Sequence, residues 1–317
     1  NVSSNIRIIS PVSGSNIPVT PLKSKSILLA IAIGLFFPIV IIFIIEVSDT
    51  MIRNRKDLEY LSLPFVGEVP LAYEKKKFFT RKSKDNSPLI VVTENSHNVV
   101  NEAFRIVRTN LNFIWGKEDK SKIIMVTSFL SNSGKSFTSI NLAMGFAIQR
   151  KKVLVIDLDM RKAIVSKLVN SPQNGVSGYL NNTIDNLEGI IVRGKIHSNL
   201  DMIPVGVIPP NPAELLSDER LGQLLDTLRK QYDYIFIDCP PLNIVADSYI
   251  INKLVDMTLF VIRAGLLDKS MLQDIEKLYE NHQQGRVCVL LNCTTVNKRY
   301  GHSRYGYNYG YYVTDYN

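Results

Sequence analysis

Residues Ile27 to Ile45 read ILLAIAIGLFFPIVIIFII, a run of nineteen positions without a single charge. At 1.5 Å per residue such a helix is about as long as the ~30 Å hydrocarbon core of a bilayer. A soluble core helix of this length would carry a polar stripe, and this run has none. A cleavable leader is disfavoured, because the run starts at position 27 and no small-residue cleavage site follows. Pro38, in mid-run, is tolerated better in membrane helices than in soluble ones. The run therefore predicts a transmembrane helix over residues 27–47. Everything else must fold on one side of a membrane or the other.

Charge around the span sets its direction. Lys23 and Lys25 precede it, whereas Arg53, Arg55 and Lys56 follow, with Lys75, Lys76, Lys77, Arg81, Lys82 and Lys84 further on. That balance favours a cytoplasmic C-terminal side. The net charge of +8, from 37 basic against 29 acidic residues, is thus largely local and does not describe a nucleic-acid face. The basic stretch reads equally well as a contact for anionic lipid or as a solvated linker. Cys239, Cys288 and Cys293 lie in or beside apolar strand-like runs without metal-ligand spacing, as reduced thiols in a cytosolic compartment would.

The first 26 residues are rich in Ser, Pro and Asn and end in Pro18 and Pro21, like the end of an extracytoplasmic domain and its stiff connector. Starting at Asn1 and not at Met, the chain reads as a piece of a longer protein. Residues 48–94 are expected to be a basic juxtamembrane linker with one short apolar piece, LPFVGEVP. From 95 to 296 the pattern is α/β. Apolar, β-branched runs recur at 122–128, 152–157, 200–206, 232–238, 256–263 and 286–292, with amphipathic helical stretches such as 212–230 and 268–283 between them. This alternation predicts a doubly wound, mostly parallel sheet with helices on both faces and ligands at the C-terminal strand ends.

Three motifs fall at such strand ends. The first is SFLSNSGKS, Ser128 to Ser136, joining a strand to an apolar helix. A phosphate cradle needs inward backbone N–H groups, a helix N-terminus, a lysine for the β/γ-phosphates and a hydroxyl for Mg²⁺. Gly134, Lys135 and Ser136 supply the last part, with Ser131, Asn132, Ser133 and Phe137 as the remaining nucleotide-contacting candidates. Phe129 stands where the strict motif has its first glycine. The second motif is VLVIDLDMRK, with Asp157 and Asp159, and the third YIFIDCPP, with Asp238. Strand-end acids beside a phosphate loop can hold Mg²⁺ and orient an attacking group. A single one would read as a helix cap or turn former.

Residues 297–317 form a different kind of segment. Seven of the last eighteen residues are tyrosines, Tyr300, Tyr305, Tyr307, Tyr309, Tyr311, Tyr312 and Tyr316, interleaved with Gly301, Gly306, Gly310, Asn308 and Ser303. That composition supports neither a helix nor a packed face, so a disordered tail offering phenols as phosphoacceptors is expected. An aromatic strip for RNA, using Arg299 and Arg304, is the plainer reading.

With its phosphate loop, Asp-x-Asp strand, IDCPP, PPNPAELLSDERL and terminal tyrosines, the chain resembles the bacterial tyrosine kinases, in the fused form attached to polysaccharide co-polymerases. Members of that family often lack the first glycine of the loop. EAFRIVRTN adds Glu102, Arg105 and Arg108, matching the family's E-x-x-R-x-x-R segment. Spacing of three places these residues along one helix face, where the plain alternative is an intrahelical ion pair.

The resemblance implies an ATP- and Mg²⁺-dependent, autophosphorylating protein-tyrosine kinase. Lys135 would meet the β/γ-phosphates and Ser136, Asp159 and Asp238 would surround the metal. Asp157 would be the base or orienter for the tyrosine hydroxyl, and Asn292 would contact adenine. It further implies a homo-oligomeric ring docked through Glu102, Arg105 and Arg108, with tail tyrosines phosphorylated by the neighbouring subunit. An inner-membrane location, polysaccharide export machinery and a phosphotyrosine phosphatase complete the expectation. Two alternatives stand beside it: a ParA/MinD-like ATPase, and a non-catalytic co-polymerase whose domain senses ATP. The ParA/MinD class carries an extra lysine early in the loop, and Ser128 to Ser133 contains none.

Overall fold

A computed structural model of the chain describes residues 14, 23–71, 89–96, 98–116, 121–216, 219–242, 251–280 and 286–295. It falls into two units, Asn1–Thr50 and Met51–Asn317. The first is helix α1, Lys23–Val47, with no buried residue. Its apolar side chains face outward along the whole length, Phe36 and Ile39 at 65% and 63% exposure. A helix apolar on every side needs an apolar solvent, as a membrane span does.

The second unit is built on eight strands: β1 (Phe65–Pro70), β2 (Lys122–Thr127), β3 (Val153–Asp157), β4 (Val192–His197), β5 (Leu200–Ile203), β6 (Tyr234–Asp238), β7 (Met257–Arg263) and β8 (Arg286–Thr294). Their order across the sheet is β1-β8-β7-β2-β6-β3-β5-β4. Every pairing is parallel except β4 with β5. The central strand β2 lies between β6 and β7, so the winding reverses there, which is where such sheets bind ligands.

Successive side chains of a strand point to opposite faces, and the core divides accordingly. Ile124 and Val126 of β2 join the cluster under α2 (Val99–Trp115) and α3 (Lys135–Ala147). Ile123 and Met125 join the cluster on the other face, under the helix Glu219–Leu228. A third cluster gathers Ile52, Leu58 and Leu63 with the outer face of β7 and β8 and with Leu272 and Ile275 of the helix Leu272–Glu280. Under α3, Phe146 sits 4.2 Å from the Tyr234 ring and 6.5 Å from Trp115, between centroids.

The expected linker over 48–94 needs correcting. Ile52 is fully buried and β1 pairs with β8 as the edge strand of the sheet, so the folded unit begins well before residue 95. Pro64, Gly67 and Pro70 disguised that strand. Gly67 is there because α2 packs onto it: a Cβ would meet Val107 Cγ2 at 2.9 Å, and its φ is +146°. Two further differences are local. The run at 200–206 is strand only to Ile203, and a short antiparallel partner, β4, precedes it. The stretch 212–230 holds two helices, Pro212–Leu216 and Glu219–Leu228. The expectations for the N-terminal connector, the basic cluster from Lys75 to Lys84 and the tyrosine tail lie outside the described residues.

Phe146 is fully buried between helix and sheet. Phe146→Ala is expected to lower stability by about 3–5 kcal/mol, the usual cost of emptying an aromatic site. Urea unfolding followed through Trp115, the one tryptophan, measures it, and a loss below about 1 kcal/mol would show that the face is loosely packed.

Candidate nucleotide site

β2 ends at Thr127 and α3 starts at Lys135, and the residues between form a loop across the C-terminal end of the sheet. Asn132 and Gly134 take left-handed backbone conformations, with φ of 61° and 93°. Alternating left-handed positions turn successive amides toward one concavity, the arrangement that binds anions. Gly134 has a second reason to be glycine, since a Cβ would lie 2.0 Å from Asn292 Nδ2. Inside the loop, the Ser128 and Ser133 hydroxyls both donate to the Leu130 carbonyl at 2.7 Å. Phe129, in place of the first glycine, packs against the third core cluster.

Lys135 and Ser136 open α3 and are almost wholly buried, at 6% and 7% exposure. Burial pushes the Lys135 ammonium down, Asp238 and Asp159 pull it back up, and Lys162 lowers it further. The three acids converge as the strand pairing requires, with Asp157 directly beside Asp238 on adjacent parallel strands. Asp157 is completely buried. Its Oδ2 accepts from Ser166 N at 2.8 Å and Ser166 Oγ at 2.7 Å, and its Oδ1 accepts from Asp159 N at 3.2 Å. Burial raises its pKa to about 6, against the lowering effect of the Ser166 bonds.

Asp238 is in a harsher place. It is fully buried, and among the described residues neither carboxylate oxygen has a hydrogen-bond partner. Burial first, and then the Asp157 charge, drive its pKa well above the carboxylate range. The nearby Ser136 hydroxyl, short of hydrogen-bond geometry, and Lys135 work against that rise. An orphaned buried carboxylate beside a lysine and a serine hydroxyl is what a divalent cation would satisfy. Among the described residues no three His, Cys, Asp or Glu side chains form a metal cage. That donor set suits Mg²⁺, which takes one or two carboxylates and completes its shell with phosphates and water.

Three expected site residues are placed differently. Phe137 turns away from the loop and packs on Phe104 of α2, 5.6 Å between centroids, because each helical residue rotates 100° from the last. Asn292 is 2% exposed: its Nδ2 donates to Ser133 O at 3.0 Å and its Oδ1 accepts from Cys293 N at 2.9 Å. It braces the phosphate loop from behind in place of facing a base. Arg108 stays within reach of the Arg105 and Glu102 charges but is also tied inward. Glu102 and Arg105 pair at 3.2 Å on the outside of α2, but six residues of helix turn Arg108 about 120° away from Glu102. Its Nη1 donates at 2.6 Å to Gly145 O in the last turn of α3, where a cation is favoured by the helix dipole.

Sequence reasoning missed three contributors. Ser166 carries Asp157, Lys162 Nζ donates to Asn132 Oδ1 at 3.0 Å, and Arg263 Nη1 donates to Asn132 O at 2.8 Å. Lys162 lay in the VLVIDLDMRK motif, yet nothing local marked Ser166 or Arg263, which reach the site only through the sheet.

The family model described as an AAA domain matches residues 121–284. The chain is 32% identical over 235 residues to tyrosine-protein kinase YwqD of Bacillus subtilis, covering 72% of this chain and 93% of that one. It is 30% identical over 329 residues to tyrosine-protein kinase wzc of Salmonella typhi, covering 98% of this chain and 44% of that one. Among solved structures, the kinase domain of Escherichia coli tyrosine kinase ETK superposes with a TM-score of 0.68 at 29% identity, over 81% of this chain and all of that one. The chain spans 36–44% of the length of the enterobacterial relatives it matches. A P-loop fold with these relatives implies nucleotide binding. On the loop, the sheet and these relatives together, the chain belongs to the bacterial tyrosine kinases.

Proposed function

We propose that the chain is a membrane-anchored protein-tyrosine kinase that uses ATP and Mg²⁺ to phosphorylate its own kind, and that it regulates capsular or extracellular polysaccharide polymerisation and export. The observation that carries this reading is the buried acid pair beside Lys135. Such a cluster is costly in an empty fold and is offset by a cation and a phosphate chain. The family and the names of its relatives support the choice of tyrosine as acceptor.

In this reading Lys135 neutralises the β/γ-phosphates, and Ser136, Asp159 and Asp238 hold the metal. When bound, Mg²⁺ would screen the charge that builds on the phosphates as the γ-phosphoryl group is transferred. The tyrosine oxygen forms the new P–O bond, the β–γ bridge breaks, and ADP leaves with those electrons. The phenol, with its ordinary pKa near 10, passes its proton to a phosphoryl oxygen or to solvent water as the bond forms. A loose transition state needs no strong base, so positioning dominates. Asp157, locked by Ser166 and tied to the Asp159 backbone, is suited to orienting its neighbour.

The acceptors are Tyr300, Tyr305, Tyr307, Tyr309, Tyr311, Tyr312 and Tyr316 of a neighbouring copy. Each phosphate adds about −1.5 to −2 charges. Accumulated charge would loosen a ring of subunits held through the outer face of α2. We place the chain in the cell inner membrane through α1, with the kinase unit cytoplasmic. The partition into connector, span, folded unit and tail follows the residue ranges anticipated from sequence, with the folded unit extended to Met51.

Three outcomes test this. Lys135→Met in the full chain should abolish phosphotyrosine formed with Mg-ATP, read by mass spectrometry; a wild-type chain that forms none would sink the kinase reading. Arg105→Ala should shift the assembly toward monomer in light scattering without changing thermal stability. Arg108→Ala should lower the melting temperature as well, since it also frees the end of α3, and an unchanged mass in both would reject the ring. The third concerns pH. Asp157 has a folded pKa of about 6, above the ordinary carboxylate value near 4, so the nucleotide-free fold binds its proton more tightly than the unfolded chain. Its contribution is present below pH 4 and lost as pH rises through 6. Asp157→Asn should therefore gain stability relative to wild type between pH 4 and pH 7, by about 3 kcal/mol, in melts followed through Trp115. A pH-independent difference would show that the carboxylate is not held in a desolvated site.

A further inference from the structure

Asn132 is the exposed midpoint of the phosphate loop, and both of its oxygens are occupied by cations from elsewhere in the sheet. Arg263, the last residue of β7, donates from Nη1 to the Asn132 carbonyl at 2.8 Å. Lys162 donates from Nζ to Asn132 Oδ1 at 3.0 Å, and its own backbone N–H is held by Asp159 Oδ1 at 3.2 Å. One loop residue is thus gripped from the β7 end on its main chain and from the loop after β3 on its side chain.

The loop has reason to need such a grip. Its first glycine is replaced by Phe129, and Asn132, which is not glycine, sits at a φ of 61°. A left-handed non-glycine residue costs roughly 1 kcal/mol and persists only where its surroundings hold it. The carbonyls of the loop show the same logic. Leu130 O is taken by two serine hydroxyls, Asn132 O by Arg263 and Ser133 O by Asn292. With carbonyls engaged by side-chain donors, the amides remain to face an anion. The Lys162 charge also acts on Lys135 and depresses its ammonium, so two cations share the mouth of one cradle. A polyphosphate between them would relieve that repulsion.

We propose that Arg263 and Lys162 are positioning residues of the nucleotide site, holding the phosphate loop in its anion-binding shape through the two oxygens of Asn132. This rests on the reading of the loop as a nucleotide site. Neither residue belongs to the phosphate-loop motif, and both act through Asn132.

The test is a titration of the full chain in detergent micelles with fluorescent N-methylanthraniloyl-ADP and Mg²⁺. Arg263→Ala and Lys162→Met are each expected to weaken binding roughly tenfold, the effect of losing one hydrogen bond to a charged group. Melting through Trp115 should stay unchanged, and Arg263→Lys and Lys162→Arg should recover most of the affinity. Asn132→Gly separates the two grips, because it removes Oδ1 and keeps the carbonyl. In that background Lys162→Met should have no further effect, while Arg263→Ala should still weaken binding. If Lys135→Met abolishes binding but Arg263→Ala and Lys162→Met bind as wild type does, the proposal is overturned and the nucleotide site stands. Weakened binding with a lowered melting temperature, unrescued by the conservative variants, would assign both residues to general stability and also overturn it. A wild-type chain that does not bind the nucleotide would remove the site itself.

Discussion

Two carboxylates buried side by side dominate the physics of this fold. Asp157 and Asp238 lie at matching positions on adjacent parallel strands, both with no exposure to solvent. Charges so placed repel and are poorly solvated, and a fold retains them only where something compensates. Part of the compensation is internal. Ser166 gives Asp157 two hydrogen bonds, and Lys135 lies close enough for its charge to favour the ionised form of Asp238. The two Asp238 oxygens, without a hydrogen-bond partner among the described residues, are where the proposed cation would complete the site.

Helix α3 carries that requirement outward. Its first residues, Lys135 and Ser136, belong to the phosphate loop. In its middle, the buried Asn141 accepts from Val91 N and Val92 N at 2.8 and 3.0 Å and donates to Leu89 O at 2.8 Å. That clamps the segment leading into α2. At its end, the Gly145 carbonyl accepts from Arg108 of α2. One helix therefore touches the phosphate-loop motif, the approach to α2 and α2 itself, so the element proposed to mediate assembly is packed on the element proposed to hold phosphates.

What could be read from sequence follows physical rules. Strands buried on both faces, such as KIIMVT and VLVID, are continuous apolar runs and stand out. β1 did not, because an edge strand broken by Gly67 and flanked by Pro64 and Pro70 lacks both the alternation and the run of a central one. β4, with three positions exposed, three half-buried and none buried, was equally faint. Within the site, Gly134, Lys135 and the three aspartates were legible because the phosphate loop and the strand-end acids are contiguous motifs. Arg263 and the bracing role of Asn292 were not, since their partners lie far away along the chain, and Ser166, nine residues past Asp157, sits in no recognisable motif.

An apolar span, an α/β sheet, a phosphate loop and strand-end acids could all be read along the chain, because each depends on residues close together in it. It took the folded arrangement to put Asp157 and Asp238 in one register, to tie Arg108 to the end of α3 and to set Asn292 behind the loop. Those outcomes depend on which strands become neighbours and which helices pack together, and neither is written in any local stretch of the chain.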